Sequence, residues 1–480
     1  MLLSELCALA GLTCTGGDAE IASIEYDSRK VTEGSLFCCI VGQLTDGHKY
    51  AAQAAEKGAV ALLAERPLEI ALPQIVTDNT RKAMALLAAA FYHYPHYEMT
   101  MLGVTGTNGK TTTTYMLKSI AEHAGKKVGL IGTIRNMIGE RSLNTERTTP
   151  ESVDLFRILR EMADEHVDIV IMEVSSHALE QHRVHGILFD AAAFTNLTQD
   201  HLDYHKTFDN YLNAKKILFR NTKQAVINMD DPHAAAIAED LDIPVLTFGI
   251  RDRADINATD IDITAGGVVF DLHTPQGGCR MQLPIPGLFS VFNAMGTVGL
   301  ALCAGIGLNT IKEGLEGMMT VSGRLEPVKI GRPVPFSVFV DYAHTPDALE
   351  NVLNTIRDFA KARVITVFGC GGNRDRAKRP IMGEVAGRFS EFAVVTSDNP
   401  RNEKPMDIID AVEEGVKRSG TPYTVIENRK DAITYALSIA EKDDIVLVAG
   451  KGHENYQEIN GVKYHFDDRE IVEDLLKERF

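Results

Sequence analysis

Gly103-Val-Thr-Gly-Thr-Asn-Gly-Lys110-Thr111-Thr112 follows the apolar run Met99 to Val104 and opens a stretch with helical spacing. A strand, a glycine turn and a helix start in this order make a phosphate cradle. Backbone N–H groups of the turn and the positive end of the helix can hold nucleotide phosphates, Lys110 adds a point charge, and Thr111 or Thr112 can reach Mg²⁺. The usual phosphate loop would carry glycine where Val104 stands; here Gly106 and Gly109 belong to a shorter, threonine-rich version. The chain is therefore predicted to bind or turn over a nucleoside triphosphate.

Around this loop lie 480 residues, too many for one hydrophobic core and about right for three domains. The composition, 45% hydrophobic and 24% charged, is that of a globular protein, and no window approaches a membrane span. The N-terminal apolar stretch lacks a basic leader and contains Glu5, so an amphipathic helix is expected there rather than a signal peptide. Seven cysteines without paired spacing, apart from adjacent Cys38-Cys39, make neither a disulfide framework nor a zinc site, and a reducing cytoplasm is expected. A formal charge of −17 argues against a nucleic-acid surface, though a few local cations can still dominate a cleft for small anions. Neither a nucleic-acid partner nor membrane insertion is expected, and the chain is taken as a monomer.

The fold class read from the pattern is α/β in three domains. Short β-like stretches at Ser35 to Val41, Val60 to Ala64 and Gln74 to Thr77 alternate with alanine-rich helices until Tyr94-Pro95-His96-Tyr97, which closes a small N-terminal α/β domain, 1–97. A central P-loop ATPase-like domain, 98–322, has a parallel sheet with crossover helices and includes Val167 to Glu173 and Ala191 to Asn196. A β-rich passage from Asp255 to Leu288 and a helix starting near Ser290 follow. The boundary falls around Ser322-Gly323-Arg324. Apolar runs at Ser337 to Asp341, Val364 to Gly369, Phe392 to Ser397 and Ile445 to Gly450 then predict a C-terminal Rossmann-like domain, 323–480.

Ligands of open α/β sheets sit beyond the carboxyl ends of the strands. Glu173 ends one such run and is placed for Mg²⁺, which favours one or two carboxylates with phosphates and water. The loop after Ala191 to Asn196 packs Asp200, His201, Asp203 and His205 together, enough to complete a metal and phosphate site. In the last third, turn chemistry accounts for Gly371, Gly372 and Pro400 but leaves Arg374, Arg401 and Glu454 unexplained. Two guanidiniums and a carboxylate suit a zwitterion, the forks taking its carboxylate and the glutamate its ammonium.

Taken together, the pattern resembles the Mur ligases of bacterial cell-wall synthesis over nearly the whole chain. The matching segments are Asp27-Ser28-Arg29 with Gly34 and Asp46-Gly47, Gly106 to Thr112, Thr148-Thr149-Pro150, Glu173 to Arg183, Asn196 to His205, Ala214-Lys215, Ser322-Gly323-Arg324, Asp341 to His344, and the clusters of the last domain. The resemblance implies an N-terminal domain for a uridine nucleotide, a central ATPase and a C-terminal domain that brings an amino acid.

By that resemblance Ser28, Thr148, Thr149, Ser175, Gln181 and Arg183 would bind a UDP-muramoyl dipeptide. Gly106, Thr107, Asn108, Gly109, Lys110, Thr111, Thr112, Asn293, Arg324, Asp341 and His344 would bind ATP. Lys215 would carry a carbamate formed with CO₂, which turns a cation into an oxygen donor; Lys216 is the nearest competitor. With Thr111, Glu173 and His201 it would hold Mg²⁺, and Lys110, Glu173, His201 and Lys215 would be catalytic. Asp398, Asn399, Pro400 and Arg401, with Arg374, Gly450 and Glu454, resemble the signature of members that add meso-diaminopimelate, whose far end carries a carboxylate that lysine lacks.

The implied reaction is ATP-dependent amide synthesis: the D-glutamate γ-carboxylate of the dipeptide becomes an acyl phosphate, which the diaminopimelate amine then attacks. Competing readings are a lysine-adding relative, a folylpolyglutamate synthase-like ligase, and a nucleotide-dependent switch or transport ATPase, which would hydrolyse ATP without either substrate.

Overall fold

The computed structural model describes every residue except 43–44, 144–146, 199, 240 and 252–253, and the side chain of Asp203. By compactness the chain divides into two units, Met1–Phe248 with Gly296–Ile311, and Gly249–Met295 with Lys312–Phe480.

In the first unit, β1 (Ser23–Glu25), β2 (Ser35–Cys38), β3 (Ala59–Ala64) and β4 (Gln74–Val76) form a parallel sheet in sequence order. The N-terminal helix Leu3–Ala10 buries Leu3, Leu6 and Cys7 and ends at Gly11, whose φ of 67° gives the left-handed cap that glycine supplies without strain. A second sheet contains β5 (Thr100–Thr105), β6 (Val128–Ile131), β7 (Asn136–Ile138), β8 (Arg141–Leu143), β9 (Ile169–Glu173), β10 (Ala191–Phe194), β11 (Ala225–Asn228) and β12 (Val245–Gly249). Its order is β12-β11-β10-β5-β9-β6-β7-β8, parallel from β12 to β6.

Strands covered on both faces read as unbroken apolar runs, and β9, β10 and β11 are buried at every position. One core cluster joins Leu3 and Leu87 to Met101, Phe156, Met172 and Phe194, so the N-terminal sheet and the phosphate-loop sheet share buried side chains. That continuity is the reason compactness does not separate them.

The second unit opens with an antiparallel meander, β13 (Ile256–Thr264), β14 (Gly267–Thr274) and β15 (Gly277–Leu283). The helix that follows spans Leu288–Cys303, two residues earlier than the sequence suggested. Its main sheet comprises β16 (Glu326–Pro327), β17 (Ser337–Asp341), β18 (Val364–Phe368), β19 (Phe392–Val395), β20 (Tyr423–Val425) and β21 (Ile445–Ala449), in the order β16-β17-β21-β18-β19-β20. All neighbours are parallel except β16–β17. A two-stranded hairpin, β22 (Tyr456–Ile459) and β23 (Val462–His465), precedes the last helix. Because β17, β21, β18 and β19 are parallel neighbours, the segments after Asp341, Ala449, Phe368 and Val395 leave the sheet along one edge.

Among the described residues no helix is long and apolar enough to cross a membrane, and all seven cysteines are free thiols.

Candidate functional site

Register builds the candidate site of the first unit. In the sheet β5 lies between β10 and β9, with Thr105 opposite Phe194 and Val104 opposite Glu173. The loop after β5 is thus held between the ends of two neighbouring strands. Thr107 N–H donates to the Asn196 carbonyl at 2.9 Å, Asn108 N–H to Asn196 Oδ1 at 2.9 Å, and Thr195 Oγ1 to the Asn108 carbonyl at 2.6 Å. Gly106 has φ 153°, and an ideal β-carbon there would collide with Thr195 Oγ1 and come within 3.1 Å of Asn196 N. Only glycine lets the loop lie this close. Gly109, at φ 86°, caps the helix Lys110–His123 without a side-chain acceptor, which leaves the first amides of the helix to other partners. The Lys110 ammonium donates to the carbonyls of Gly106 and Thr107, each at 2.8 Å.

Glu173 is 1% exposed and fully engaged. Its Oε2 accepts from Thr111 Oγ1 at 2.9 Å and Thr133 Oγ1 at 3.0 Å, while Oε1 accepts from Thr133 N–H at 2.9 Å. Thr133 in turn shares a 3.0 Å hydrogen bond with Thr148. Thr149 Oγ1 donates to the Glu173 carbonyl and accepts from Ser175 N–H, and Arg183 Nη1 donates to the Thr149 carbonyl at 2.9 Å. Arg183 Nη2 reaches Gln181 Oε1 at 2.7 Å, and Gln181 donates to Tyr204 Oη at 3.1 Å. Thr148, Thr149, Ser175, Gln181 and Arg183 thus form one hydrogen-bonded chain with Glu173. Gln181 and Tyr204 border a cleft of about 420 Å³ whose other lining residues include Arg81, Glu180 and His182. Ser28 stands apart, on the turn after β1, where its carbonyl accepts from Lys57 Nζ.

The loop after β10 brings His201 beside His177, with ring centroids 4.8 Å apart, and His177 beside Tyr204 and His205. His205 is buried, shares a hydrogen bond with Ser176 Oγ and lies 2.9 Å from Glu180. Its place is inside this packing, while the His201 side chain is 44% exposed. Asp203 falls outside the described side chains. Lys215 and Lys216 part company: Lys215 is 1% exposed, with Nζ 4.5 Å from the Tyr211 ring centroid, whereas Lys216 is half-buried. Burial, reinforced by the Lys110 charge, pulls the Lys215 amine well below the ordinary lysine range.

Among the described residues no three His, Cys, Asp or Glu side chains gather as a ready metal site. What the site provides is hard oxygen, a carboxylate and a threonine hydroxyl at the head of the phosphate loop. That donor set fits Mg²⁺ bound mainly through phosphate and water, and does not fit zinc.

In the second unit, Gly323 has φ 66°, and a β-carbon there would run into His453 N and the Gly452 backbone. Ser322-Gly323-Arg324 therefore packs backbone to backbone on Gly452-His453. The Arg324 guanidinium lies 5.1 Å from the Tyr342 ring centroid, and Tyr342 also packs against His344 and His453. Asp341 accepts from the N–H groups of Leu325 and Ala343 at 2.7 and 2.8 Å. Asn293 is buried on the helix Leu288–Cys303.

The clusters after β18, β19 and β21 converge. Asn399 Nδ2 donates to Glu454 Oε2 at 2.8 Å; Arg401 Nη1 donates to the Gly372 carbonyl at 2.9 Å. A β-carbon on Gly371 would lie 2.9 Å from Arg401 Nη1 and 3.8 Å from Arg374 Cγ, so this glycine sits between the two arginines. Asp398 is buried beside Gly450. Burial raises the Glu454 carboxyl above its ordinary range, with Lys451 opposing.

Several residues here escaped the sequence reading. Lys451 is 0% exposed and donates to Asn399 Oδ1, Glu454 Oε2 and the Tyr456 carbonyl. Arg429 and Asp468 form a buried ion pair, Nε–Oδ1 2.8 Å and Nη2–Oδ2 2.7 Å, and Nη2 also holds the Ala449 carbonyl. A lysine between two glycines was a visible signal for the first; nothing in the sequence marked the second. Thr133 and Gly132, around the Glu173 carboxylate, were likewise unmarked.

A phosphate-loop sheet whose neighbouring strand ends in an engaged carboxylate, on a chain that also brings Arg374, Arg401 and Glu454 to one edge of a second parallel sheet, fits an ATP-using ligase of the α/β class. The chain belongs to the Mur ligase family. Residues 20–92 match the Mur ligase family catalytic domain, 104–301 the Mur ligase middle domain, and 323–452 the Mur ligase glutamate ligase domain. It is 49% identical over 464 residues to the UDP-N-acetylmuramoyl-L-alanyl-D-glutamate--2,6-diaminopimelate ligase of Clostridium botulinum, covering 96% of each chain. It is equally 49% identical to the ligase of the same name from Geobacillus thermodenitrificans, over 97% of this chain and 96% of the relative. A solved structure of a ligase of that name superposes with a TM-score of 0.70 at 33% identity, covering 96% of this chain and 95% of the other. The fold, though not the sequence, extends to a folylpolyglutamate synthase from Mycobacterium tuberculosis, at 19% identity and a TM-score of 0.63 over 77% of this chain and 92% of that one.

Proposed function

We propose that this chain joins meso-2,6-diaminopimelate to the D-glutamate γ-carboxylate of UDP-N-acetylmuramoyl-L-alanyl-D-glutamate at the expense of ATP. The single observation that carries the amino-acid assignment is the meeting of Arg401, Asn399 and Glu454, with Arg374 next to them, at one edge of the second unit's sheet. A guanidinium fork takes a carboxylate in bidentate fashion, and a buried carboxylate takes an ammonium. Lysine would leave the fork unused, and the names of the relatives point the same way.

The division of labour we infer is 1–97 for the uridine end, 98–322 for ATP and 323–480 for the amino acid. Ser28, Thr148, Thr149, Ser175, Gln181 and Arg183 would bind the muramoyl dipeptide. Gly106 to Thr112 would cradle the ATP phosphates, with Asn293, Arg324, Asp341 and His344 as further nucleotide contacts. Asp398, Pro400 and Gly450 complete the diaminopimelate set. Mg²⁺ would be held by Thr111, Glu173, His201 and a carbamate on Lys215; when bound, it neutralises phosphate charge and so lets an anionic nucleophile approach. CO₂ adds to the uncharged form of an amine, and burial favours that form at Lys215, which supports it over the half-buried Lys216.

The γ-carboxylate of D-glutamate attacks the ATP γ-phosphorus and ADP leaves; the diaminopimelate amine then attacks the acyl carbon of the resulting acyl phosphate, forming the amide as inorganic phosphate departs and the amine gives up a proton. Lys110 offsets the repulsion between the two anions, and the helix amides behind Gly109 orient the phosphates. The substrates are small molecules, and we take the protein as a cytoplasmic monomer.

The test is an amino-acid panel with the UDP-dipeptide and ATP, read by product mass, on the wild type and on Lys110→Ala, Lys215→Gln and Lys216→Gln. Diaminopimelate-dependent product from the wild type and Lys216→Gln only is expected. Product with lysine instead overturns the amino-acid assignment, ATP hydrolysis without either substrate overturns the ligase, and ligation by Lys110→Ala removes that lysine from the chemistry.

A further inference from the structure

The residues that touch an amino acid in the proposed pocket lie on three strand-end loops, yet what holds them comes from elsewhere in the chain. Arg401 has φ 52°, a left-handed conformation that a long side chain adopts only when its surroundings impose it. The imposing element is the hairpin β22–β23. Arg401 N–H donates to the Glu458 carbonyl at 3.0 Å, and Asn460 N–H donates to the Arg401 carbonyl at 2.7 Å. Glu458 N–H donates to Asn399 Oδ1 at 2.9 Å, and Gln457 Nε2 donates to the Asp398 carbonyl at 2.7 Å.

With Lys451 on the same Oδ1, the Asn399 amide has its oxygen fully used, which turns Nδ2 toward Glu454. Three hairpin residues, Gln457, Glu458 and Asn460, thus fix the backbone at Asp398 and Arg401 and the side-chain orientation of Asn399.

Glu458 also reaches the guanidinium itself, with Oε2 3.3 Å from Arg401 Nε. The Gly372 carbonyl takes Nη1. Among the described residues Arg401 Nη2 makes no hydrogen bond, so one edge of a planar, permanently charged group is presented while its other nitrogens are held. A guanidinium held this way loses little rotamer freedom when a carboxylate arrives. An isolated exposed pair would contribute next to nothing; this one is part-buried, with side-chain exposures of 19% and 25%, and is backed by backbone contacts from the same residue.

We propose that Glu458 is a positioning residue for amino-acid specificity: the hairpin β22–β23, through Glu458, sets Arg401 in the orientation that receives the distal carboxylate of the diamino acid. This rests on the assignment of Arg401 to that carboxylate. The hairpin tip is exposed, with Val462 at 50% and Tyr464 at 55%, so changes on it are compatible with the fold.

Steady-state KM values for diaminopimelate, ATP and the UDP-dipeptide, together with melting temperature, should be measured for Glu458→Gln, Arg401→Ala, the double variant, and Val462→Thr as a hairpin control. Glu458→Gln is expected to raise the diaminopimelate KM roughly five- to tenfold, less than the loss of a whole charge-assisted bond because the glutamine keeps an amide oxygen that can still face Arg401 Nε. The other two KM values, the melting temperature and the Val462→Thr enzyme should not change. In the Arg401→Ala background Glu458→Gln should add nothing. If Arg401→Ala leaves the diaminopimelate KM unchanged, the pocket assignment itself falls. If Arg401→Ala raises it but Glu458→Gln does not, or the two effects simply add, the positioning role of Glu458 falls while the pocket stands. A rise in all three KM values with a lower melting temperature would reduce Glu458 to a structural residue and overturn the proposal.

Discussion

Gly132→Ala would test whether the position of the Glu173 carboxylate, rather than its mere presence, matters to turnover. An ideal β-carbon on Gly132 would fall within 3 Å of Glu173 Oε1, 3.1 Å from Cδ and 3.3 Å from Cγ. Ordinary contacts between such atoms begin near ~3.5 Å, so the carboxylate must retreat by about half an ångström or more. It has little room, being 1% exposed and held by Thr111 and Thr133. The bond from Thr133 N–H to Oε1, now 2.9 Å, would lengthen to roughly 3.5 Å, the edge of hydrogen bonding. Loss of one charge-assisted bond is worth about 1.5–3 kcal/mol, or roughly ten- to hundredfold in turnover if it is felt in the transition state. Overpacking adds about 1–3 kcal/mol of destabilisation, so the assay belongs well below the melting temperature. Phosphate release that depends on both substrates, titrated with Mg²⁺, should show a lower plateau and a higher half-saturating Mg²⁺ concentration. Gly307→Ala is the matched control, since a β-carbon there meets nothing within 4 Å. Wild-type turnover and Mg²⁺ dependence in Gly132→Ala would refute the reasoning, because Glu173 could then move without consequence.

Two further outcomes concern stability. Arg429→Met strands the Asp468 carboxylate in a site where both side chains are 0% exposed, and should cost about 3–5 kcal/mol, seen as a large drop in melting temperature; Arg429→Met with Asp468→Leu should recover most of it. Equal melting temperatures for the single and double variants would show that the pair is not coupled. His96 is 3% exposed, neither of its ring nitrogens is hydrogen-bonded among the described residues, and burial pulls it down to about 4 from an ordinary value near 6.5. Between those values the unfolded chain takes up a proton that the folded chain refuses, so stability falls as pH drops from about 6.5 to about 4, by up to about 3 kcal/mol. His96→Phe should melt with a shallower pH dependence across that window; an unchanged slope would exonerate the histidine.

The phosphate loop was legible because its chemistry is local. Gly106, Gly109 and Lys110 act through backbone conformation and a helix start, which need no knowledge of distant chain. Strand positions were legible for a related reason: a strand buried on both faces has to be apolar throughout, and β9, β17, β18 and β21 announce themselves within a residue or two. Resemblance to a family then named Thr148, Thr149, Ser175, Gln181 and Arg183, residues that local pattern alone did not single out. The fold joins all of them to Glu173 in one hydrogen-bonded chain.

What the linear order could not disclose depends on burial and on partners far away in sequence. Lys215 and Lys216 are neighbours with the same chemistry, and only the packing of one against Tyr211, out of water and near Lys110, gives it a depressed pKa. Arg429 and Glu458 look like surface charges in the sequence, and Lys451 stands out only by its flanking glycines, because a charged residue betrays burial only through the partner that makes burial tolerable. Those partners arrive from elsewhere in the fold, Asn399 and Arg401 from the loop after β19 and Asp468 from the last helix. Residue types and short spacings therefore determined which chemistry the chain can perform, while the tertiary structure decided which of several equivalent charges is desolvated, oriented and held ready for it.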